Sequence, residues 1–505
     1  MAKLTVYFTS DTHGYLYNTS FASTQAMPMG LLSMRFPKDG NTLVIDGGDT
    51  TQGSPLTYFL KEHKEEGRQR MLYEAMNARG YDYVTLGNHD FNYGRTWLSD
   101  YLCGLSGQCL CANVTDLTGH LPIAPYTVRT LENGLKIGLF GIVTDWVKVW
   151  EKKENLEGLE ITDPVEAAKQ AVDALQKLGV DKIIGIYHGG FEKDLESGKP
   201  VSATDENQAC RICEELPIDL LLTGHQHIAL AGGEWAGTHV VQTPCNARQY
   251  VKVEMDDEGR FTSVLVTPDA EQTWTALESE VRQDLEDWLD RPIGHLSRNI
   301  WPGERLDMAL HGTPIADFFN RVQLWASGAD LSLTMLPNDI RGFAKDVTVR
   351  DVVATYVYSN TLCVLKATGK DLRAAMEQTA SYFDVDSQGQ IRISDAFLKP
   401  KEAHYNYDFF AGVDYAFDLS RPVGERVVRL ERHGEPVKDT DCFTICMCDY
   451  RATGAGEYPM WAACSHVQDI LTEVSEFILR YLKEYPQIAI SDPTMPLCLM
   501  NGRPC

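Results

Sequence analysis

Leu4-Thr5-Val6-Tyr7-Phe8-Thr9-Ser10-Asp11-Thr12-His13-Gly14 joins a short β-branched and aromatic run to two hard metal ligands and a glycine. The run has the composition of a buried strand. The same arrangement recurs four times. Thr42-Leu43-Val44-Ile45 precedes Gly47-Gly48-Asp49, and Tyr83-Val84-Thr85-Leu86 precedes Gly87-Asn88-His89-Asp90. Lys182-Ile183-Ile184-Gly185-Ile186-Tyr187 precedes His188-Gly189-Gly190, and Asp219-Leu220-Leu221-Leu222-Thr223 precedes Gly224-His225-Gln226-His227. Between such runs lie segments of helical period. Pro164 to Leu178 is one, with Val165, Ala168, Ala171, Val172 and Leu175 on one face, Asp163 as N-cap and Gly179 as stop. Alternating strands and helices define an α/β fold in which ligands gather outside the carboxyl ends of strands. All five motifs occupy that end.

The residue types suit a pair of divalent cations. Two such ions roughly 3.5–4 Å apart need one bridging carboxylate, with imidazole, carboxylate and amide oxygen in the remaining positions. They also lower the pKa of a shared water towards roughly 7, so that hydroxide is available at neutral pH to attack phosphorus. The glycines at 14, 47, 48, 87, 189, 190 and 224 let the backbone turn tightly without a side chain in the substrate's path. A single histidine of this kind is more often a surface or satisfied core residue than a ligand. Five motifs in one order, each behind a strand, are hard to obtain from turn chemistry.

The order and wording of these motifs resemble the calcineurin-like metallophosphoesterases, specifically the bacterial and animal 5′-nucleotidase family with its two-domain plan, over nearly the whole chain. The resemblance implies an N-terminal β-sandwich of two mixed sheets flanked by helices and a C-terminal α/β substrate-binding domain. It also implies a metal assignment. One ion takes Asp11, His13, Asp49 and His227, the other Asp49, Asn88, His188 and His225, with Asp49 bridging. His89 is not assigned to a metal and is expected to hydrogen-bond a phosphoryl oxygen or protonate the departing alkoxide. One position departs from the 5′-nucleotidase pattern. Those enzymes usually carry Asp three residues after the catalytic His, whereas this chain runs His89-Asp90-Phe91-Asn92-Tyr93-Gly94. Asn92 cannot hold a negative charge against His89, and the Asn-Tyr-Gly wording is more similar to the branch that hydrolyses 2′,3′-cyclic nucleotides and 3′-nucleotides.

Composition sets outer limits. A chain of 505 residues, 44% apolar and 23% charged, is an ordinary globular protein with room for two or more domains. The net charge of −25, from 46 basic and 71 acidic residues, argues against polymeric nucleic acid or an anionic membrane as partner. Small anionic substrates remain compatible, because the field of a metal-lined cleft is local. Met1-Ala2-Lys3 leads straight into the first run without a signal peptide, and no run of about 18 apolar residues suggests a membrane span. Thirteen cysteines, an odd number, agree with a reducing, cytoplasmic setting. Cys103, Cys109 and Cys111, like Cys442, Cys446 and Cys448, lack paired zinc-knuckle spacing and read as buried thiols. Nothing in the sequence specifies an oligomeric state.

The second half reads differently. Leu277, Val281, Leu285, Trp288 and Leu289 lie at helical spacing before Pro292 and Gly294. This segment is expected to be a linker helix within 271–292, between a catalytic domain over 1–270 and a nucleotide-binding domain over 293–505. Two aromatic segments, Tyr407 to Asp418 and Asp449 to Pro459, resemble the family's base-stacking segments, which by position makes Tyr407 and Tyr458 a clamp for the base of a nucleotide. Arg341, in Pro337-Asn338-Asp339-Ile340-Arg341, matches the end of a family Asn-to-Arg motif whose usual glycines are replaced here. Arg305 falls where another family arginine would. Both are candidate substrate ligands. In the family the second domain swings about the linker, so closure is expected here too.

The resulting expectation is metal-dependent hydrolysis of a small nucleotide phosphoester of the 5′-, 3′- or 2′,3′-cyclic type. Two divalent ions, drawn from manganese, zinc, cobalt or iron, are implied. The alternatives are a UDP-sugar or non-nucleotide phosphoester hydrolase and, from another class, a non-catalytic nucleotide or metal sensor.

Overall fold

The computed structural model describes residues 3–201, 205–358, 360–386, 388–399 and 402–505, with backbone alone at position 65. Met1 and Ala2, on which the expected absence of a leader partly rests, lie outside the described residues. The chain forms two compact units, Met1–Leu285 and Glu286–Cys505.

The first unit is built on two mixed sheets. The seven-stranded one runs Phe261–Val266, Tyr250–Met255, Leu4–Thr9, Thr42–Asp46, Tyr83–Val84, Gln108–Leu110 and Ile123–Ala124. Its pairing is parallel from Leu4–Thr9 onward and antiparallel on the other side. The six-stranded sheet runs Leu230–Trp235, Thr238–Gln242, Leu220–Thr223, Lys182–His188, Lys136–Val143 and Tyr126–Thr130, with four parallel strands in the middle. Alternation along each strand assigns its side chains to two cores. Val6, Phe8, Leu43 and Ile45 from one sheet pack with Leu139, Ile184, Ile186 and Leu222 from the other. Phe140, Ile183, Tyr187 and Leu221 turn to the opposite face and meet Val165, Ala168, Val172 and Leu175 of the helix Pro164–Lys177. Burial on both faces explains the continuous apolar runs. That helix starts where Asp163 accepts from the Glu166 backbone N–H at 2.9 Å, and Gly179 follows its end at φ 66°.

The segment read as a linker forms the helix Ala276–Leu289, and the division into two units falls inside it. The second unit holds a five-stranded sheet in the order Asp408–Ala411, Leu331–Met335, Cys442–Cys448, Leu362–Thr368 and Ser465–Ile470. Helices Val349–Thr355 and Gly369–Ala380 each begin with a capping box, Thr348 with Asp351 and Thr368 with Asp371. Another five-stranded sheet is centred on Asp414–Asp418. Four of the six clustered cysteines are buried as expected, but Cys103 and Cys442 are exposed. Cys442 opens its strand, where one face has already reached solvent.

Candidate functional site

Because the strands carrying the five motifs are parallel within each sheet, their carboxyl ends emerge together. Asp11 follows Leu4–Thr9, Asp49 follows Thr42–Asp46, Asn88 follows Tyr83–Val84, His188 ends its own strand, and His225 and His227 follow Leu220–Thr223. Backbone bonds draw the loops inward: the Asp11 N–H donates to the Gly48 carbonyl, and the His13 N–H to that of Asp49. The His225 N–H donates to Asp11 Oδ1 at 3.0 Å.

The seven sequence-derived ligands converge. Asp11, His13 and His227 form one group of ligand atoms that a single ion could bridge, and Asp11, Asp49 and His188 form another. His13 Nε2 faces His227 Nε2 at 3.3 Å, and His227 Nε2 lies 3.3 Å from Asp11 Oδ1. His188 Nε2 is 3.2 Å from Asp49 Oδ2 and 3.1 Å from Asn88 Oδ1. His225 joins through Nδ1, 2.9 Å from Asn88 Oδ1. The two compact groups share Asp11, whereas the family assignment makes Asp49 the shared ligand.

Surrounding acceptors fix which nitrogen of each ring is presented. His13 Nδ1 donates to the Gln52 carbonyl at 2.8 Å and His188 Nδ1 to the Gly47 carbonyl at 2.7 Å, so both offer Nε2. His225 is the reverse. Its Nε2 donates to Glu206 Oε1 at 2.6 Å while Trp150 stacks on the ring. Such outer partners set tautomer and orientation in metal sites.

Two observations show that the cluster fits cations. Asp49 Oδ2 is buried, and with His188 neutral and its Nδ1 proton on the Gly47 carbonyl it has no donor among the described residues, a costly state for a carboxylate oxygen unless a cation meets it. Asp11, His13, Asp49, His225 and His227 also hold positive φ values, between 48° and 71°. For residues other than glycine this costs on the order of 1–3 kcal/mol each, and such strain persists where surrounding structure enforces it, commonly at functional sites. Charges inside the cluster are strongly coupled. Burial alone would raise the Asp11 carboxyl, but His188 and His227 outweigh it and bring it to about 2. Burial lowers His13 to about 4 despite Asp49. His188 is raised to about 9 against its burial, because Asp49 and Asp11 stabilise its cation. A divalent ion would replace those protons as the positive partner of the carboxylates.

Two glycines permit the close approach. A Cβ on Gly87 would lie 2.1 Å from Asp49 Oδ1, and one on Gly48, at φ 90°, would lie 2.3 Å from the Gly87 nitrogen. Asp90, which the sequence passed over, ties these loops. Its buried carboxylate accepts backbone N–H bonds from Asp49, Thr50, Thr51 and Gly87 at 2.8–3.1 Å. Cys245 also lies against the cluster. Burial raises its thiol, but neighbouring His227 outweighs that and lowers it.

His89 stands beside the ligands, its backbone N–H donating to Asp49 Oδ1 at 2.7 Å. Its Nδ1 donates to Asn92 Oδ1 at 2.8 Å, and Asn92 Nδ2 donates to Glu151 Oε2 at 2.8 Å. Glu151 is 9% exposed and also accepts from Asn155 Nδ2. Asn92 therefore links His89 to a carboxylate fifty-nine residues away. No local motif could reveal that partner.

In the second unit the aromatic clamp requires correction. Tyr407 is buried, its hydroxyl donates to the Ala309 carbonyl at 2.7 Å, and its ring packs on Tyr382 and Phe409. Tyr458 is 0% exposed, its hydroxyl bonded to Thr379 Oγ1 and the Asn406 carbonyl. Neither ring offers an open face. Their neighbours do: Tyr405 and Tyr450, with Tyr358, Met335, Asn338 and Asn360, line a cavity of about 450 Å³. The Tyr405 and Tyr450 rings meet edge to face at 6.4 Å, and Asn338 Oδ1 is buried there without a partner among the described residues.

Arg451 explains the offset. Fully buried, it pairs with Asp408 at 3.0 Å, donates to the Tyr405 carbonyl at 3.0 Å and to that of Ala455, and lies 4.0 Å over the Tyr458 ring. It thus anchors both aromatic segments from within while Tyr405 and Tyr450 face outward. Arg305 is also redirected: its guanidinium donates to the Pro337 carbonyl at 2.7 Å and to that of Asn338, bracing the cavity's loop. Arg341 is exposed on that loop.

Residues 4–229 match the calcineurin-like phosphoesterase family, and residues 292–463 match the 5′-nucleotidase C-terminal domain. The trifunctional nucleotide phosphoesterase protein YfkN of Bacillus subtilis is 25% identical across 95% of this chain, which spans 38% of that protein's length. A 2′,3′-cyclic-nucleotide 2′-phosphodiesterase/3′-nucleotidase of Salmonella typhimurium is 26% identical, covering 82% of this chain and 74% of its own. A Staphylococcus aureus structure described as a 5′-nucleotidase superposes with a TM-score of 0.73 at 32% identity, covering 98% and 99% of the two chains. With both halves matched in order and a likeness of this depth along the whole length, the chain belongs to the family that joins a calcineurin-like phosphoesterase to a 5′-nucleotidase C-terminal domain, and it is a phosphoester hydrolase.

Proposed function

We propose that this chain hydrolyses nucleotide phosphoesters, with 2′,3′-cyclic and 3′-nucleotides preferred over 5′-monophosphates. The observation that carries the preference is the His89–Asn92–Glu151 chain, in which an amide stands where 5′-nucleotidases usually have the carboxylate. Asp11, His13, Asp49 and His227 would hold one divalent ion and Asp49, Asn88, His188 and His225 the other. Bound there, the two ions would supply water acidified to a pKa near 7 and positive charge opposite the phosphoryl oxygens. The protein's own groups do the rest. Glu206, Gly47 and Gln52 hold the ligand rings in register, and Asp90 fixes the Asp49 loop. Asn92, oriented by Glu151, keeps the His89 Nδ1 proton in place so that Nε2 serves the substrate. As water's oxygen bonds to phosphorus and the ester P–O bond breaks, His89 delivers a proton to the departing alkoxide.

For the base, the aromatic surface of Tyr405 and Tyr450 replaces the clamp inferred from sequence, and Asn338 Oδ1 offers an acceptor to an exocyclic amine. Manganese is the first metal to test, since mixed N and O ligands accept several ions and availability decides. We place the chain in a reducing, cytoplasmic compartment on its odd number of cysteines, thirteen. Phosphate release from 2′,3′-cyclic, 3′- and 5′-nucleotides with manganese added, and Asp49→Asn as control, tests this reading. Equal or better turnover of 5′-monophosphates would overturn the preference.

A further inference from the structure

A third cluster of metal-ligating groups lies in the second unit, outside everything described so far. Cys363 sits on the strand Leu362–Thr368, and His466 and Asp469 on its neighbour Ser465–Ile470, the edge of the five-stranded sheet. In an unbroken strand, residues three apart point to opposite faces. Here the register pairs Cys363 with Asp469, Val364 with Gln468 and Leu365 with His466, so Val467 has no partner and forms a bulge. The bulge returns His466 to the face that carries Cys363 and Asp469, and bulges are a recurrent means of re-aiming a side chain.

Cys363 Sγ lies 3.4 Å from His466 Nδ1, which lies 3.3 Å from Asp469 Oδ1, and all three atoms are within 4.8 Å of one another. Tetrahedral zinc, with bonds of about 2.3 Å to sulfur and about 2.0–2.2 Å to nitrogen and oxygen, sets neighbouring ligand atoms roughly 3.4–3.6 Å apart. The sulfur–nitrogen and nitrogen–oxygen spacings, 3.4 and 3.3 Å, lie close to these values. Burial and the facing Asp469 carboxylate push the Cys363 thiol well up, and a cation facing all three atoms would offset both by pairing with the thiolate. Cys363 is buried while the His466 side chain is 42% exposed, so the cluster is sheltered behind and open to solvent in front. We propose that Cys363, His466 and Asp469 bind one zinc-class divalent cation with an open fourth position for water. Thiolate, imidazole and carboxylate select zinc or cobalt over magnesium and calcium, in contrast to the nitrogen and oxygen ligands of the first unit. Loading releases the Cys363 thiol proton to solvent as the sulfur–metal bond forms.

The test is a cobalt titration of the chelator-stripped full-length chain, followed by the thiolate-to-cobalt charge-transfer band, which does not depend on nucleotide hydrolysis. The band should saturate at one equivalent for this site and be displaced by zinc. It should vanish in Cys363→Ser, weaken more than about tenfold in affinity in His466→Gln, and persist in Cys245→Ser, which controls for the thiol near the first cluster. His466 is exposed, so its substitution keeps the test decisive if the buried Cys363 variant misfolds. Absence of a band in the unmodified chain, or a band unaltered in His466→Gln, overturns the proposal.

Discussion

The strand-end cluster of the first unit and the aromatic cavity of the second were inferred in the same way, from short motifs, yet they came out differently. In the first unit the motif residues converge on one cluster at the strand ends, although its two compact groups share Asp11. In the second, Tyr407 and Tyr458 are core and the residues at the cavity are Tyr405 and Tyr450. The difference is geometric. A ligand at the end of a parallel strand has its position set by the sheet, and tight glycine turns leave it one direction to face. An aromatic residue on a loop or strand flank has no such constraint. A shift of one or two residues exchanges a buried ring for an exposed one, and a buried tether such as Arg451 decides which.

Asp49→Asn should produce the largest effect, a loss of kcat on the order of 10³-fold or more, because it weakens the only carboxylate the family assignment shares between two ions. Steady-state phosphate release measures it, and turnover within tenfold of the parent would remove the contrast by showing the first cluster to be dispensable. Arg451→Met should cost about 3–5 kcal/mol of stability in urea unfolding, since it leaves the Asp408 carboxylate buried and unpaired. A neutral outcome would mean that the second unit's aromatic segments are not held from within. Tyr450→Ala should weaken binding of base-bearing esters by about 1–3 kcal/mol, the value of one stacked base, with KM rising and hydrolysis of a base-free ester unchanged. Tyr407→Phe should instead lose only the hydrogen bond to Ala309, about 1 kcal/mol of stability. If Tyr407→Phe changed KM and Tyr450→Ala did not, the correction from one tyrosine pair to the other would be reversed. Glu151→Gln should lower kcat only about tenfold with KM unmoved, because Gln still accepts from Asn92 but removes the charge behind it.

Much of the first unit was legible because burial on both faces leaves its strands as continuous apolar runs, and the motifs begin where those runs stop. Asp163, Pro164 and Gly179 bounded by capping chemistry a helix that its apolar period had marked. What escaped was set by long-range contact. Glu151 reaches Asn92 and Glu206 reaches His225 across segments that carry no motif. The left-handed backbone at Asp11, His13, Asp49, His225 and His227 is likewise not fixed by residue type, since Asp and His adopt it more often than other non-glycine residues but still in a small minority of positions. Arg451 and Tyr450 did stand inside a quoted segment, and a buried arginine beside an aromatic pair was the available signal. The edge-strand bulge that gathers Cys363, His466 and Asp469 had none, because register cannot be read from one strand.

Anomalous scattering from crystals grown with manganese tests the central claim most directly. Two peaks roughly 3.5–4 Å apart, with Asp49 Oδ2 between them and Asp11, His13, Asn88, His188, His225 and His227 around them, is the result expected. A single peak, or none within reach of Asp49, would contradict a dinuclear centre built from the five strand-end motifs.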